Sequence, residues 1–244
     1  MKTNYIRMSK SIYYDEVDVD CSDISGTNCY CDDVAMKKIE ERLIDVPLCA
    51  IHYIDSGNYH YMTLPFLRRI DEDFALVVFD NHTDYQEVAF GGLTSCGAWI
   101  REAVDTIPRL KQVVLIGAEA AACEETEFDN RVSWLGWNQN GEFVDSEGTV
   151  IERAELAEFV RSKLEPGLPV YVSIDKDVLA EGECKADWSQ GIMTLADLRI
   201  ALSFFKEKNI LGVDVCGGPD DLEDYEGNES NREVDEVIKE IFRG

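Results

Sequence analysis

Five apolar segments constrain the fold of this chain more than any other feature. They are rich in Val and Ile and nearly continuous in apolar residues, as expected for parallel strands that are covered on both faces. Helical patterns lie between them, and this alternation predicts an α/β fold with a mostly parallel sheet between helical layers. The predicted strands cover residues 48–55, 75–80, 112–117, 170–175 and 210–215.

The helical patterns carry ordinary start and stop signals. Pro166-Gly167 would end the fourth helix, and Thr194, with Asp197 three residues later, resembles an N-terminal cap for the fifth. The predicted helices cover residues 32–45, 62–70, 98–107, 150–165, 194–209 and 229–243.

One segment interrupts this alternation. Residues 131–150 carry Asn140-Gly141 between two segments of mixed polarity, which predicts a hairpin that makes an excursion over the surface. The sequence contains no low-complexity tract, no repeat of fixed period and no obvious linker. Residues 1–244 are therefore expected to form one domain.

The net charge of −26 limits the partners of this chain. Phosphate binding needs Lys and Arg, so contact with nucleic acid is disfavoured, as is docking on an anionic membrane. A negative field attracts metal ions or a cationic substrate, although surface acid also serves solubility alone. No apolar stretch approaches the roughly 20 residues that span a bilayer, and the first residues lack the apolar core of a signal peptide. These features predict a cytoplasmic protein with reduced thiols.

Acidic residues and histidines gather where the predicted strands end. In FDNHTD and in SIDKD they alternate with other residues, so their side chains project to one side of each strand. The carboxyl ends of parallel strands meet at one edge of a sheet, where ligands bind. A histidine in the short loop beyond the first predicted strand joins them. The candidate metal ligands are His60, Asp80, His82, Asp84, Asp175 and Asp177.

Four carboxylates in one cleft repel each other and take up protons unless cations are present. Two divalent ions would balance the charge, and this donor set favours Mn²⁺, with Zn²⁺, Fe²⁺ and Co²⁺ also open. Two ions at about 3.5–4 Å can share a hydroxide and polarise a substrate together. The competing interpretation is an acidic edge of caps and turns that binds cations loosely. His52 lies inside an apolar segment and is interpreted as a core histidine.

These motifs resemble those of a known enzyme family. FDNHTD is similar to the D-A-H-x-D motif, SIDKD to the S-x-D-x-D motif and GNYH to the G-G-D-H segment of the arginase, agmatinase and formiminoglutamase (ureohydrolase) superfamily. The resemblance extends over about residues 48–220. It implies a three-layer αβα sandwich, a homo-oligomer, and two Mn²⁺ ions whose bridging hydroxide attacks an amidine or guanidine carbon. One ion would take His60, Asp80, Asp84 and Asp175, and the other His82, Asp80, Asp175 and Asp177.

The chain departs from the family pattern in four places. Ala180 replaces a later aspartate of the second motif, and Lys176 stands between two ligand aspartates, where we expect it to point away into a salt bridge. Cys96 lies in the loop where the family carries a histidine, and Cys216 lies near the place of the glutamate that holds the guanidinium. The metal-binding half of the pattern is therefore intact, whereas the half that selects arginine or agmatine is largely absent.

Four residues are candidates for substrate binding. Cys96 and Cys216 could contact a substrate, act as a soft metal ligand or form a redox pair, or they could simply be small buried residues in Gly-rich turns. Trp188 and Gln190 follow the second motif and could supply an aromatic wall and a polar handle, or Trp188 could only anchor its loop. The acidic stretch 119–127 could recognise a cationic substrate tail or could be a solvated loop.

The resulting hypothesis is a Mn-dependent dinuclear hydrolase of the arginase family, different from a typical arginase. It would cleave a non-peptide C–N bond of a small guanidino, amidino or amide compound. Asp84 and Asp177 are candidates to pass a proton to the departing amine. Two alternatives stay open: a catalytically inactive protein that binds a metal or a ligand, and a deacetylase-like amidohydrolase with one zinc ion and a catalytic His pair.

Overall fold

The computed structural model describes residues 1–10, 17–87, 93–218 and 229–243. Short 3-10 turns connect several of its elements. The strands and helices, in chain order, are β1 (Lys2–Arg7), β2 (Val19–Asp20), β3 (Tyr30–Asp32), α1 (Asp33–Leu43), β4 (Ala50–Ile54), α2 (Thr63–Leu67), β5 (Phe74–Phe79), β6 (Leu93–Ser95), α3 (Trp99–Thr106), β7 (Leu110–Glu119), α4 (Ala120–Glu125), β8 (Val132–Trp137), β9 (Phe143–Asp145), β10 (Val150–Ile151), α5 (Leu156–Lys163), β11 (Val170–Asp175), α6 (Leu195–Ser203), β12 (Ile210–Cys216) and α7 (Glu229–Phe242).

Ten strands form one sheet in the order β10-β9-β8-β7-β5-β11-β12-β4-β1-β2. In this order, all neighbouring strands from β8 to β2 pair in parallel. At the other edge, β9 pairs antiparallel with β8 and with β10. The five strands expected from the sequence form the contiguous centre, from β7 to β4. The prediction of a mostly parallel sheet is confirmed.

Helices cover both faces of this sheet, so the structure has three layers. Helices α1 to α4 pack on one face, and α5 to α7 pack on the other. In β5, Leu76 and Val78 face the first helical layer, whereas Val77 and Phe79 face the second. Successive side chains of a strand alternate, so Asp80 continues the side of Leu76 and Val78. Within the described residues, no helix combines the length and the apolar character that crossing a bilayer requires.

Some boundaries differ from the expected ones. Residues 150–155 form β10 and a 3-10 turn before α5 begins, and residues 204–207 form a 3-10 turn after α6 ends. The cap of α6 is confirmed, because Asp197 N donates to Thr194 Oγ1 at 3.1 Å and Thr194 N donates to Asp197 Oδ2 at 2.9 Å. The hairpin expected within residues 131–150 is formed by β8 and β9, and residues 139–142 at its turn are exposed. It extends the sheet, since β8 pairs in parallel with β7.

Candidate metal centre

Three neighbouring strands, β5, β11 and β12, end at one level of the sheet. Asp80 directly follows β5, Asp175 ends β11 and Cys216 ends β12. Asp175 pairs with Cys216 in the strand register, and Phe79 pairs with Ile174 one position earlier. Partners in register point to the same face, so Asp80, Asp175 and Cys216 converge beneath the first helical layer. All three side chains are buried.

His60 reaches this level from the 3-10 turn that follows β4, and it is buried. Its Nδ1 faces three carboxylates, at 3.1 Å from Asp80 Oδ2, 3.0 Å from Asp84 Oδ2 and 3.6 Å from Asp175 Oδ2. Its other ring nitrogen, Nε2, lies 2.9 Å from Ser173 Oγ. The Nε2 of the imidazole therefore contacts the sheet through Ser173, and its Nδ1 is directed at the carboxylates.

A hydrogen-bond relay sets the tautomer of His60. The Ser173 hydroxyl donates to Asp214 Oδ1 at 2.6 Å, so its oxygen accepts the hydrogen of His60 Nε2. In the neutral imidazole this arrangement leaves a lone pair on Nδ1. Metal-binding histidines are commonly oriented in this way by a partner on the second ring nitrogen.

His82 contacts the cluster from the segment after β5 and is partly exposed. Its Nδ1 lies 2.9 Å from Asp177 Oδ2 and 3.4 Å from Asp80 Oδ1, and its Nε2 lies 2.9 Å from Ser189 Oγ. Asp177 also accepts the backbone N–H of Asn81 at 3.0 Å. Asp80 thus presents one carboxylate oxygen to His82 and, as described above, the other to His60.

Asp84 is placed by a rare backbone conformation, with φ at +45°. Trp99 Nε1 donates to Asp84 Oδ2 at 2.7 Å, which fixes the carboxylate beside His60. Among the described residues, the other non-glycine residue with positive φ is Cys29, and both line the same pocket. A left-handed backbone costs energy outside glycine, and such strain concentrates at functional sites.

The charges of this cluster do not balance without cations. Burial and the charge of Asp80 raise the pKa of Asp84 to about 7. Burial, together with the charges of Asp175 and Asp80, raises the pKa of Asp177 well above its usual range. Burial would lower the pKa of His82, but hydrogen bonds to Asp177 and Asp80 raise it to about 11. These buried carboxylates therefore need either protons or cations to lie this close together.

A buried oxygen without a partner leads to the same conclusion. Asp80 Oδ2 is buried and makes no hydrogen bond to any described residue. Carboxylate and imidazole donors suit divalent ions such as Mn²⁺, Fe²⁺, Co²⁺ and Zn²⁺. The residues present therefore fit a pair of metal ions. Two groups of residues share Asp80, and within each group the ligand atoms lie within 4.8 Å of one another. The first group is His60, Asp80 and Asp84, and the second is Asp80, His82 and Asp177.

The structure brings all six sequence-predicted ligands together, and we call these six residues the ligand cluster. Comparisons with known proteins identify the family of the chain. A family model described as the arginase family matches residues 5–217. The chain belongs to the arginase family. An uncharacterised protein from Thermotoga maritima is 32% identical over 192 residues, which are 79% of this chain and 68% of that protein.

Solved structures share the family fold at low sequence identity. Proclavaminate amidino hydrolase from Streptomyces clavuligerus has a TM-score of 0.65 at 18% identity, over 92% of this chain and 74% of that chain. Arginase from Bacillus subtilis has a TM-score of 0.62 at 12% identity, over 99% of this chain and 98% of that chain. Formiminoglutamase from Trypanosoma cruzi, solved with Mn²⁺, has a TM-score of 0.63 at 13% identity, over 92% of this chain and 74% of that chain. At these identities the likeness shows the fold alone, and it confirms the expected arginase-like sandwich.

A pocket of about 590 Å³ adjoins the ligand cluster, and its wall includes every member of the cluster except His60. This volume suits a small molecule. Cys96 and Trp188, two of the candidate substrate-binding residues, also line it. The Trp188 ring lies 5.5 Å from the His82 ring, and Trp188 Nε1 donates to Asn58 Oδ1 at 2.9 Å. Trp188 thus both anchors its loop and forms part of the wall.

The other two candidates have different surroundings. Gln190 borders the pocket, but its amide Nε2 lies within hydrogen-bond distance of the backbone carbonyls of Leu179, Ala180 and Cys184. Gln190 therefore holds its own loop. Cys216 is buried beside the ligand cluster and does not belong to the residues that line the pocket.

Several residues that orient the ligands were missed by sequence analysis. Ser173 had a detectable signal, because it precedes Asp175 by two positions in a strand and so shares its face. Ser189 and Trp99 had none, since their contacts with His82 and Asp84 arise only from the folded chain. The prediction for Lys176 is confirmed, because its Nζ turns away from the cluster and lies 2.7 Å from an aspartate oxygen of α7.

Proposed function

We propose that this protein is a dinuclear metal-dependent hydrolase that cleaves a non-peptide C–N bond in a small guanidino, amidino or amide compound. The convergence of the ligand cluster beside a pocket of about 590 Å³ is the observation that carries the proposal. Bound divalent ions supply positive charge that polarises a substrate and makes water more acidic. One ion would be held by His60, Asp80, Asp84 and Asp175, and the other by His82, Asp80, Asp175 and Asp177.

The residues around the cluster keep the ligands in place. Ser173, itself bonded to Asp214, accepts from His60 and fixes its ring, and Ser189 contacts His82 Nε2 in the same manner. Trp99 holds Asp84 by a hydrogen bond. Such outer partners orient metal ligands and raise their basicity. The arrangement supports a site whose geometry exists before the substrate arrives.

Asp84 and Asp177 are the carboxylates that we propose for proton transfer to the departing amine. Each is assigned to a single ion, whereas Asp80 and Asp175 are assigned to both. Both line the pocket, so a substrate nitrogen can come within reach of their oxygens. The matched variants Asp84→Asn and Asp177→Asn remove one carboxylate each. The variant that lacks the proton-transferring carboxylate should lose a larger fraction of its kcat than of its bound metal.

The pocket supports a substrate other than arginine. Cys96 and Cys216 stand near the places where the resemblance leads us to expect a histidine and a glutamate. Glu119 is exposed and lines the pocket, so it is the carboxylate available to a cationic substrate group. Two of the structural relatives are named an amidino hydrolase and a formiminoglutamase. We therefore place amidino and formimino compounds first in a substrate panel.

Metal analysis followed by a substrate panel tests the proposal. Purified protein loaded with Mn²⁺ should retain about two equivalents, and Asp80→Ala or Asp175→Ala should lose uptake at both positions, because each residue would contact both ions. Asp145→Ala is the matched control, since Asp145 is a buried aspartate in β9 that caps a turn. Unchanged metal content in Asp80→Ala and Asp175→Ala would refute the bridging assignment.

The loaded protein is then assayed for release of urea, ammonia or amine from guanidino, amidino, formimino and amide compounds. We expect product from at least one class, and none with the Asp80→Ala variant. The absence of the family histidine and glutamate favours one second candidate, a protein that binds metals without turnover. Two bound ions with no product from any class would support that candidate.

A further inference from the structure

Cys216 occupies a ligand position by the same rule of strand register that places Asp80 and Asp175. It ends β12 and pairs with Asp175, the last residue of β11. Three adjacent parallel strands therefore each contribute one metal-binding type of side chain at one level and on one face. Asp80 and Asp175 are expected ligands of both ions, whereas Cys216 has no role in the mechanism described so far.

The distances around Cys216 match those between ligands of a single ion. Cys216 Sγ lies 3.2 Å from Asp175 Oδ2, and Asp175 Oδ2 lies 3.6 Å from His60 Nδ1. Metal bonds of about 2.0–2.3 Å put neighbouring ligand atoms roughly 3–3.6 Å apart. The ligand atoms of His60, Asp175 and Cys216 all lie within 4.8 Å of one another, and all three residues are buried.

The oxygen of Asp80 that lacks a partner supplies independent support. Asp80 Oδ2 is buried, makes no hydrogen bond to a described residue, and lies 3.1 Å from His60 Nδ1. In the neutral imidazole, whose Nε2 hydrogen is donated to Ser173, an acceptor oxygen and an acceptor nitrogen face each other. A cation between them satisfies both, and His60 also belongs to the group of donors that it forms with Asp175 and Cys216.

The backbone around Cys216 also leaves room for the thiol. The following residue, Gly217, has φ at +84°, and a Cβ there would come within 2.0 Å of Asp175 Oδ1. Glycine lets the chain turn directly against this carboxylate, so that Cys216 is the side chain at the strand end. The Cys216 thiol donates to the carboxylate of Asp175, whereas two other buried thiols donate to backbone carbonyls, Cys184 to that of Lys176 and Cys31 to that of Asp32.

We propose that Cys216 Sγ is a further ligand of the ion on the His60 side, so that this position prefers Co²⁺, Zn²⁺ or Fe²⁺ over Mn²⁺. Thiolates select softer ions than carboxylates do, and a coordinated thiol loses its proton. The inference rests on the proposed dinuclear centre and refines its metal content: the His82 side, with only carboxylate and imidazole donors, keeps the preference for Mn²⁺.

Absorption spectroscopy of the Co²⁺-loaded full chain tests this inference. The native protein should show a sulfur-to-cobalt charge-transfer band in the near ultraviolet together with visible d–d bands. Cys216→Ser should lose the charge-transfer band, keep d–d bands, and bind Co²⁺ more weakly by at least about 10- to 100-fold, the range that loss of an outer partner alone produces. Cys96→Ser is the matched control, because Cys96 lines the same pocket and its removal should leave the band unchanged.

The possible outcomes separate this inference from the proposed function. Visible d–d bands without charge transfer in the native protein would overturn the role of Cys216 and leave the dinuclear centre standing. Loss of the charge-transfer band in Cys96→Ser, together with its retention in Cys216→Ser, would also overturn the role of Cys216. Failure of native protein to take up either Co²⁺ or Mn²⁺ would overturn the centre as well. If Cys216→Ser does not fold, the native spectrum and the Cys96→Ser spectrum still decide the question.

Discussion

The ligand cluster and the wall of the pocket are built from different parts of the fold. Most of the cluster lies at or just after the ends of β5 and β11, whereas Cys29, Cys96, Trp188 and Gln190, which we call the pocket rim, come from turns and loops. The buried carboxylates depend on one another, since burial and the charge of Asp80 together raise the pKa of Asp84, Asp175 and Asp177. The rim residues make separate local contacts.

This difference explains how a family can keep a metal site while its substrate changes. A change in the cluster alters the charge around several buried carboxylates at once, because side chains from neighbouring strands meet on one face of the sheet. A change in the rim alters one loop. The departures of this chain from the family motifs at Cys96 and Cys216 lie close to the cluster but leave its six members in place.

The largest expected effect tests how the cluster is supported from outside the pocket. Lys176 stands between two ligands and forms a buried ion pair with Asp235 of α7, at 2.7 Å. Asp235→Leu leaves this cation unpaired and should lower the free energy of unfolding by about 3–5 kcal/mol, measured by urea unfolding. The double variant Lys176→Met/Asp235→Leu is the control and should recover most of the loss. A single variant as stable as the native protein would contradict this role.

The next effect separates a core histidine from a ligand histidine. His52 stacks on Phe66 with ring centroids 4.0 Å apart, accepts from Asn4 and bonds to the carbonyl of Leu48. Burial lowers its pKa from 6.5 to about 4. The unfolded chain therefore binds more protons between these values. The stability that neutral His52 contributes is complete above pH 6.5 and is lost as the pH falls towards 4.

This loss amounts to about 3 kcal/mol for a shift of this size. Over this pH interval, native protein should lose about this much more stability than His52→Gln, because the other titrating groups are common to both proteins. His52→Gln should also keep its full metal content, and His60→Gln should not. Equal pH profiles for native protein and His52→Gln would contradict the assignment of His52 to the core.

Both the centre of the fold and the cluster could be predicted because they depend on local pattern. The strands β4, β5, β7, β11 and β12 are buried on both faces, so their apolar runs are continuous in the sequence. Strand β1, the second strand from one edge of the sheet, was missed. Its sequence, KTNYIR, is half exposed and begins and ends with a basic residue, so it lacks the apolar run of a central strand. Strand identity near an edge depends on the neighbouring strands, here β4 and β2, which a local pattern does not contain.

The cluster was predictable for a related reason. Alternation along the motifs predicted that Asp80 lies with His82, and Asp175 with Asp177, although His82 follows β5 and Asp177 lies in the 3-10 turn after β11. The distance between Ser189 and His82, or between Cys216 and Asp175, depends on which strands and loops become neighbours. Register between β11 and β12 decides the second case, and the sequence contains no signal for it.

Metal loading distinguishes the cluster from the rim by stability. A ligand that binds only the folded state stabilises it by about 2.7 kcal/mol at 100 times its Kd. Native protein and Trp188→Ala should therefore gain the same increase in Tm on addition of Mn²⁺, whereas Asp175→Ala should gain little. Calorimetry of the three proteins with and without the metal measures this. An equal gain in Asp175→Ala would show that the ions bind elsewhere.

The smallest effect on stability is expected at the rim itself. Trp188 is 41% exposed, and its polar contact is a hydrogen bond to Asn58. Its truncation to Ala should cost about 1 kcal/mol or less. Because its ring packs edge-on against His82 at the pocket wall, the variant should raise KM for a productive substrate while metal content stays at the native value. Loss of metal together with substrate affinity would show that the rim and the cluster are one unit, and the division between a fixed cluster and a variable rim would then be wrong.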